Sequence, residues 1–184
     1  RNPIERAFSH YLMDYRLGLI SDSFENIIAK KSKHKKSHLF YQQYIEVSKY
    51  ATQIQRYLDF FEKENILFID YEDFKKNVSK TVGKVYSFLN ISAEFAADIN
   101  TKYNTFTMPK NKGIRFIYSF VFLRKILTFL FPIYLVKNIR VLLFKTDKKP
   151  ELLKETRSQL RIIFNDDIKK LEEVLAKNYS KWIK

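Results

Sequence analysis

The sequence predicts an α/β protein that is mostly helical, and three observations carry that prediction. Apolar residues recur at helical spacing over most of the chain, beginning with Ile4, Phe8, Leu12 and Tyr15. One short apolar run, Ile66-Leu67-Phe68-Ile69, closed by Asp70, has the length and composition of a strand buried on both faces of a parallel sheet. The 184 residues, 46% of them hydrophobic, suffice for one domain with a real core and argue against intrinsic disorder.

The elements follow in order. Pro3 suits the first turn of a helix with Asn2 as its N-cap, and Gly18 is a natural stop. Ser21 to Ala29 is a short helix, and Lys30 to Lys36 a solvated basic loop. His38 to Lys63 is a longer helical stretch, broken near Ser48, with Ile54, Leu58 and Phe61 among its apolar positions. After the strand at 66–69, Val78, Val82, Val85 and Leu89 give a helix one apolar face. Ser92 to Asn100 is a further short helix, and Tyr103 to Gly113, polar and containing Pro109, is a loop. Ile114 to Phe144 is unusually apolar yet carries basic residues. Its longest uncharged run, Ile126 to Val136, falls far short of the roughly twenty residues a membrane span requires. It reads as a basic amphipathic hairpin of helices bent at Pro132, lying on a membrane or capping the core. Beyond Pro150, Leu153, Leu160, Ile163, Ile168, Leu171 and Leu175 mark a last helix, and Trp182 closes the chain.

Composition narrows the chemistry. With 34 Lys and Arg against 20 Asp and Glu, the formal charge is +14, which favours anionic partners. No cysteine occurs, so thiol catalysis and Cys-ligated zinc are excluded within this chain. His10, His34 and His38 lack metal-site spacing, so no metal is expected. Three glycines, Gly18, Gly83 and Gly113, cannot form a glycine-rich phosphate loop. The abundance of Lys, Ile, Asn, Phe and Tyr hints at an AT-rich bacterial genome. The aromatics sit mostly at core spacing without a nucleic-acid motif, so no nucleic-acid partner is expected.

The first eleven residues read Arg-Asn-Pro-Ile-Glu-Arg-Ala-Phe-Ser-His-Tyr. A helix started by Pro3 presents free N–H groups and a partial positive charge that favour a phosphate. Arg1 adds a bidentate donor fork and Ser9 a hydroxyl eight residues later. This run resembles the 3′-phosphate-binding motif of sulfotransferases that use 3′-phosphoadenosine 5′-phosphosulfate (PAPS), R-x-P-x-x-R-x-x-S-x-Y. Every fixed position is filled, by Arg1, Pro3, Arg6, Ser9 and Tyr11. Further likeness runs through Tyr50, Tyr57 and Phe60, then Ile66 to Phe74, then Val82 to Ile91, and finally from Lys149 to Trp182, in the family's order.

The resemblance implies a P-loop-NTPase-like three-layer sulfotransferase fold, with PAPS as co-substrate. Arg1 and Ser9 would hold the cofactor's 3′-phosphate. Arg6 is expected to bond carbonyls or carboxylates, and Tyr11 to pack. Lys112-Gly113 is similar to a late family loop that closes over the nucleotide; a plain basic turn is the other reading. Glu72 and Asp73 are expected to cap a helix or pair with lysines rather than do acid–base work, and His10 to sit at the surface.

Family members carry an N-terminal loop that grips the 5′-phosphosulfate and a His or Glu general base, and neither is found here. A lone buried strand also leaves backbone groups unpaired on both edges. The expectation is therefore that 1–184 is the C-terminal portion of a single sulfotransferase domain, inactive alone, its catalytic base unknown. The expected acceptor is a hydroxyl of a carbohydrate, glycolipid or small molecule, and the expected location cytoplasmic, free or membrane-associated. The alternative is a non-enzymatic protein that binds anionic lipid at a membrane surface.

Overall fold

The computed structural model describes residues 1–93, 106–146 and 149–183. The chain divides into two compact units. The first comprises Arg1–Pro3, Lys49–Asn104 and Ile163–Lys184, and the second Ile4–Ser48 and Thr105–Ile162.

In the second unit, α1 (Pro3–Arg16) buries Ile4, Ala7, Phe8, Tyr11 and Leu12, as the spacing predicts. Gly18 ends it in the left-handed region, at φ 71°. The predicted short helix is α2 (Phe24–Ile28), capped by the Ser23 hydroxyl, which accepts from the Asn26 N–H at 3.1 Å. α3 (Ser37–Tyr44) carries Tyr44 into the core. There Phe8, Tyr11, Phe24 and Tyr44 meet with ring centroids 5.2–6.1 Å apart. The Tyr44 hydroxyl donates to the buried Asp14 carboxylate at 2.8 Å, so the polar tip of the aromatic cluster is satisfied. The break predicted near Ser48 exists: a 3₁₀ turn at Glu46–Ser48 separates α3 from α4 (Tyr50–Leu58), which begins the next part of the first unit.

In the first unit, Lys49 precedes α4 without a side chain able to cap it. Asp167, on α10 (Lys154–Leu175), does so instead: its Oδ2 accepts the Tyr50 N–H at 2.7 Å and the Ala51 N–H at 3.4 Å. The apolar face of α10 then buries Phe164, Ile168 and Leu171 in this unit, with Tyr179 tilted against Trp182 at a ring-centroid distance of 4.3 Å. α5 (Tyr71–Lys76), which the spacing did not reveal, and α6 (Val78–Phe88) follow the predicted strand. Val78, Val82 and Val85 are half-buried, while Leu89 is exposed.

Three expectations are corrected. Residues 66–69 are extended but form no strand, and Ile69 is 46% exposed. No neighbouring strand among the described residues offers pairing groups, so the apolar run is not laddered, and Ile66, Leu67 and Phe68 are half-buried rather than buried. The stretch read as a loop up to Gly113 holds β1 (Thr107–Pro109), and Lys112 and Gly113 already lie in the first turn of α7 (Lys112–Ser119). The apolar hairpin is three helices, α7, α8 (Val121–Leu130) and α9 (Ile133–Leu143), broken at Phe120 as well as at Pro132. Antiparallel pairing of β1 with β2 (Phe144–Thr146), in register Thr107 to Thr146, closes its base. The short helix expected over Ser92 to Asn100 falls largely outside the described residues. Among the described residues no helix is long and apolar enough to cross a membrane.

Candidate functional site

The five motif residues divide into two kinds. Pro3 is fully buried at the start of α1. The Arg6 guanidinium donates to the Gln43 carbonyl at 2.8 Å and to the Ser48 hydroxyl at 2.9 Å, tying α1 to the end of α3. The carbonyl bond is the kind expected of it. Tyr11 is buried among Phe8, Tyr15, Phe24 and Tyr44, and its hydroxyl donates to the Asp22 carbonyl at 3.1 Å. Burial first, with the neighbouring Tyr15 and Glu25, pushes that hydroxyl up to about 12. These three residues build scaffold. The other two do not: neither the Arg1 guanidinium nor the Ser9 hydroxyl hydrogen-bonds another described residue. Both are half-buried. Arg1 belongs to the first unit and Ser9 to the second.

Glu5, inside the motif but not fixed by it, accepts from Arg157 at 2.8 Å and Lys149 at 3.3 Å. Burial pushes its carboxyl up, but the bonds from Arg157 and Lys149 outweigh this and hold it below its ordinary 4.5. His10 is half-buried, 3.9 Å from Asp14 and edge-on to Tyr44, and burial holds it below its ordinary 6.5. The surface position expected for it is therefore only partial.

Within the first unit Arg1 lines a cavity of about 460 Å³ together with Tyr50, Lys63, Phe68, Asp70, Lys177, Tyr179 and Trp182. The Arg1 guanidinium lies over the Tyr71 ring at 5.2 Å. Lys177 pairs with Asp70 and, at 3.3 Å, with Asp73. The bond to Asp70 raises the Lys177 ammonium above its ordinary value. The Tyr179 hydroxyl donates to Asp70 at 3.4 Å, and burial followed by that carboxylate pushes it up to about 12. The sequence did not single out this group, since Asp70 lies more than a hundred residues from Lys177 and Tyr179 and the three fill no motif. Glu72 pairs with Lys75 at 3.7 Å and both Glu72 and Asp73 sit in the first turn of α5, the structural roles expected of them.

Lys112 and Gly113 are exposed at the N-terminus of α7 in the second unit. The Asn111 carboxamide oxygen accepts from the Ile114 N–H at 2.8 Å. A Cβ at Gly113 would meet only Asn111 Oδ1, at 3.3 Å, so nothing else crowds the backbone there. Among the described residues no group of three His, Asp or Glu side chains converges as a metal would need.

The model of the sulfotransferase domain family matches residues 1–125, more than half of the chain. The chain belongs to the sulfotransferase family. No curated protein matches it. Among solved structures, the crystal structure of the sulfotransferase from Alicyclobacillus acidocaldarius is similar, with a TM-score of 0.64 and 24% identity. That match covers 100% of this chain and 55% of the other, so the chain spans about half the length of that sulfotransferase. The likeness establishes an α/β sulfotransferase fold, here mostly helical with a small sheet.

Proposed function

We propose that this sulfotransferase moves a sulfuryl group from PAPS to a hydroxyl of a carbohydrate, glycolipid or small molecule, and that Arg1 and Ser9 bind the 3′-phosphate of the donor. The observation that carries the reading is the division of labour in the motif. Pro3, Arg6 and Tyr11 are spent on the scaffold, while the Arg1 guanidinium and the Ser9 hydroxyl donate to no other described residue. Arg1 lies just before the start of α1, where the helix favours negative charge, and Ser9 offers a hydroxyl further along the same helix; both donor types suit a phosphate. Lys112 and Gly113, exposed at the start of α7, are the second place proposed for the donor's anionic groups, since Gly leaves the backbone approachable and Lys112 adds charge. The aromatic and cationic lining of the cavity beside Arg1 is chemically suited to a planar anion.

The catalytic base and the groups that grip the 5′-phosphosulfate are assigned to sequence outside residues 1–184, which we read as the C-terminal portion of one sulfotransferase domain. The unpaired extended segment at 66–69 supports this, because an apolar run with open edges calls for strands from elsewhere. The proposed location is the cytoplasm.

Calorimetric titration of the natural full-length protein with 3′-phosphoadenosine 5′-phosphate tests the site. Arg1→Ala and Ser9→Ala should each weaken binding by about ten- to a hundredfold, as loss of a charged hydrogen bond predicts. Adenosine 5′-phosphate, which lacks the 3′-phosphate, should bind both variants as it binds the parent. Unchanged affinity for the 3′-phosphorylated ligand in both variants would overturn the assignment.

A further inference from the structure

The β1–β2 pair closes a loop of three helices whose outward side chains are largely apolar and whose charge has one sign. Residues 107–146 contain eight Lys or Arg and no Asp or Glu. Phe122 and Phe129 stand two turns apart on α8 and are 72% and 88% exposed. On α9, Ile133 and Val141 are exposed to a similar degree, and Phe116 of α7 forms an exposed edge-on pair at 5.1 Å with Phe120, at the break after it. Apolar surface on this scale marks an interaction site.

Several guanidinium nitrogens alongside it have no hydrogen-bond acceptor among the described residues. Arg115 stacks on Tyr15 at 4.1 Å, Arg124 on Tyr118 at 5.1 Å, and Arg140 lies over Phe144 at 5.9 Å. Arg16, at the end of α1, is held below its ordinary value by burial and then by the charge of Arg140. Nε of Arg16, Nη1 of Arg115 and Nε of Arg124 are shut off from water and meet no acceptor. Buried donors in native proteins nearly always find one. Those donors are enclosed, so the charge open to an outside anion is that of the exposed Lys110, Lys125 and Arg140, which no carboxylate within residues 107–146 offsets.

We propose that α7–α9 is a docking surface for a bilayer rich in anionic phospholipid, with Phe122, Phe129 and Val141 entering the headgroup–acyl boundary while Lys110, Lys125 and Arg140 meet the phosphates. A bilayer interface supplies both things the surface asks for, apolar depth and diffuse negative charge. The helices lie on the membrane rather than across it, since none is long enough to span. The inference goes beyond the proposed reaction and stands without it, because docking needs neither PAPS nor an acceptor.

Co-sedimentation of the natural full-length protein with vesicles of phosphatidylcholine, with or without about 30% phosphatidylglycerol, tests it. The expected result is binding at least about fivefold stronger on the anionic vesicles, falling as salt rises. The double variant Phe122→Asp/Phe129→Asp should lose about tenfold or more, and Lys125→Glu several-fold. All three side chains concerned are at the surface, and an unchanged melting temperature shows that the variants fold. Absence of binding to either vesicle, or binding that survives the double variant, overturns the proposal. So does a dimer that the double variant dissociates, which would give the surface to a second copy of the chain.

Discussion

Gly18 shows how far a single residue can constrain this protein. Its φ of 71° is one that side chains rarely adopt, and a Cβ there would stand 2.5 Å from Ser119 Cβ and 3.1 Å from the Arg115 carbonyl. Strain and clash act together, so Gly18→Ala should cost about 1–3 kcal/mol. In a chain of this size that lowers the melting temperature by about 2–10 °C. A variant that melts with the parent would show that α7 does not seat against Gly18. Asp167 gives a second residue-scale prediction, this time in pH. Burial raises its carboxyl above the ordinary 3.8, although the amides of Ala51, Tyr50 and Thr52 pull the other way. A raised value means that the native state holds the proton more tightly than the unfolded chain. The stability this contributes is complete below pH 3.8 and is lost as pH rises through the raised value. Asp167→Asn keeps an acceptor for the Tyr50 N–H but has nothing to titrate. Its melting temperature relative to the parent should therefore climb between about pH 3 and pH 7. A flat difference would rule out a raised carboxyl.

At the scale of elements, what the sequence revealed and what it hid have distinct causes. α1, α2, α6 and α10 carry their signals within a few turns: Pro3 and Ser23 at starts, and apolar residues at helical spacing. The interruption at Pro132 was equally local. α5 escaped notice because its six residues, Tyr71–Lys76, are too few to show a period. β1 and β2 escaped because three-residue strands exist only through pairing between positions almost forty residues apart. The cap of α4 belongs to the same class, since Asp167 acts on Tyr50 across 117 residues of sequence. The candidate site divides likewise. Arg1 and Ser9 could be singled out because they fill fixed positions of one short motif. Asp70, Lys177 and Tyr179 converge only through folding, and no short pattern marks them.

Over the whole molecule, the apolar surface left open is not confined to α7–α9. In the first unit Tyr57, Phe60, Phe61 and Ile69 are 46–83% exposed, close in sequence to the one apolar run that reads as a buried strand. A strand with Val- or Ile-like character and open N–H and C=O groups on both edges is stable only when neighbours pair with it. Amide hydrogen exchange on the natural full-length protein puts the argument to a measurement. If strands from outside residues 1–184 flank this segment, the amides of Ile66 to Ile69 will exchange as slowly as those of the α10 core around Phe164 and Ile168, opening only with global unfolding. If they exchange as fast as the exposed loop at Lys30 to Lys36, no ladder forms there. The proposal that the remaining sheet and the phosphosulfate-gripping groups lie in preceding sequence would then fail, whatever becomes of Arg1 and Ser9. The two measurements are separable, because nucleotide affinity reports the 3′-phosphate donors and exchange reports the sheet. A sulfotransferase that passes the first and fails the second would have to complete its active site with groups that do not extend this strand.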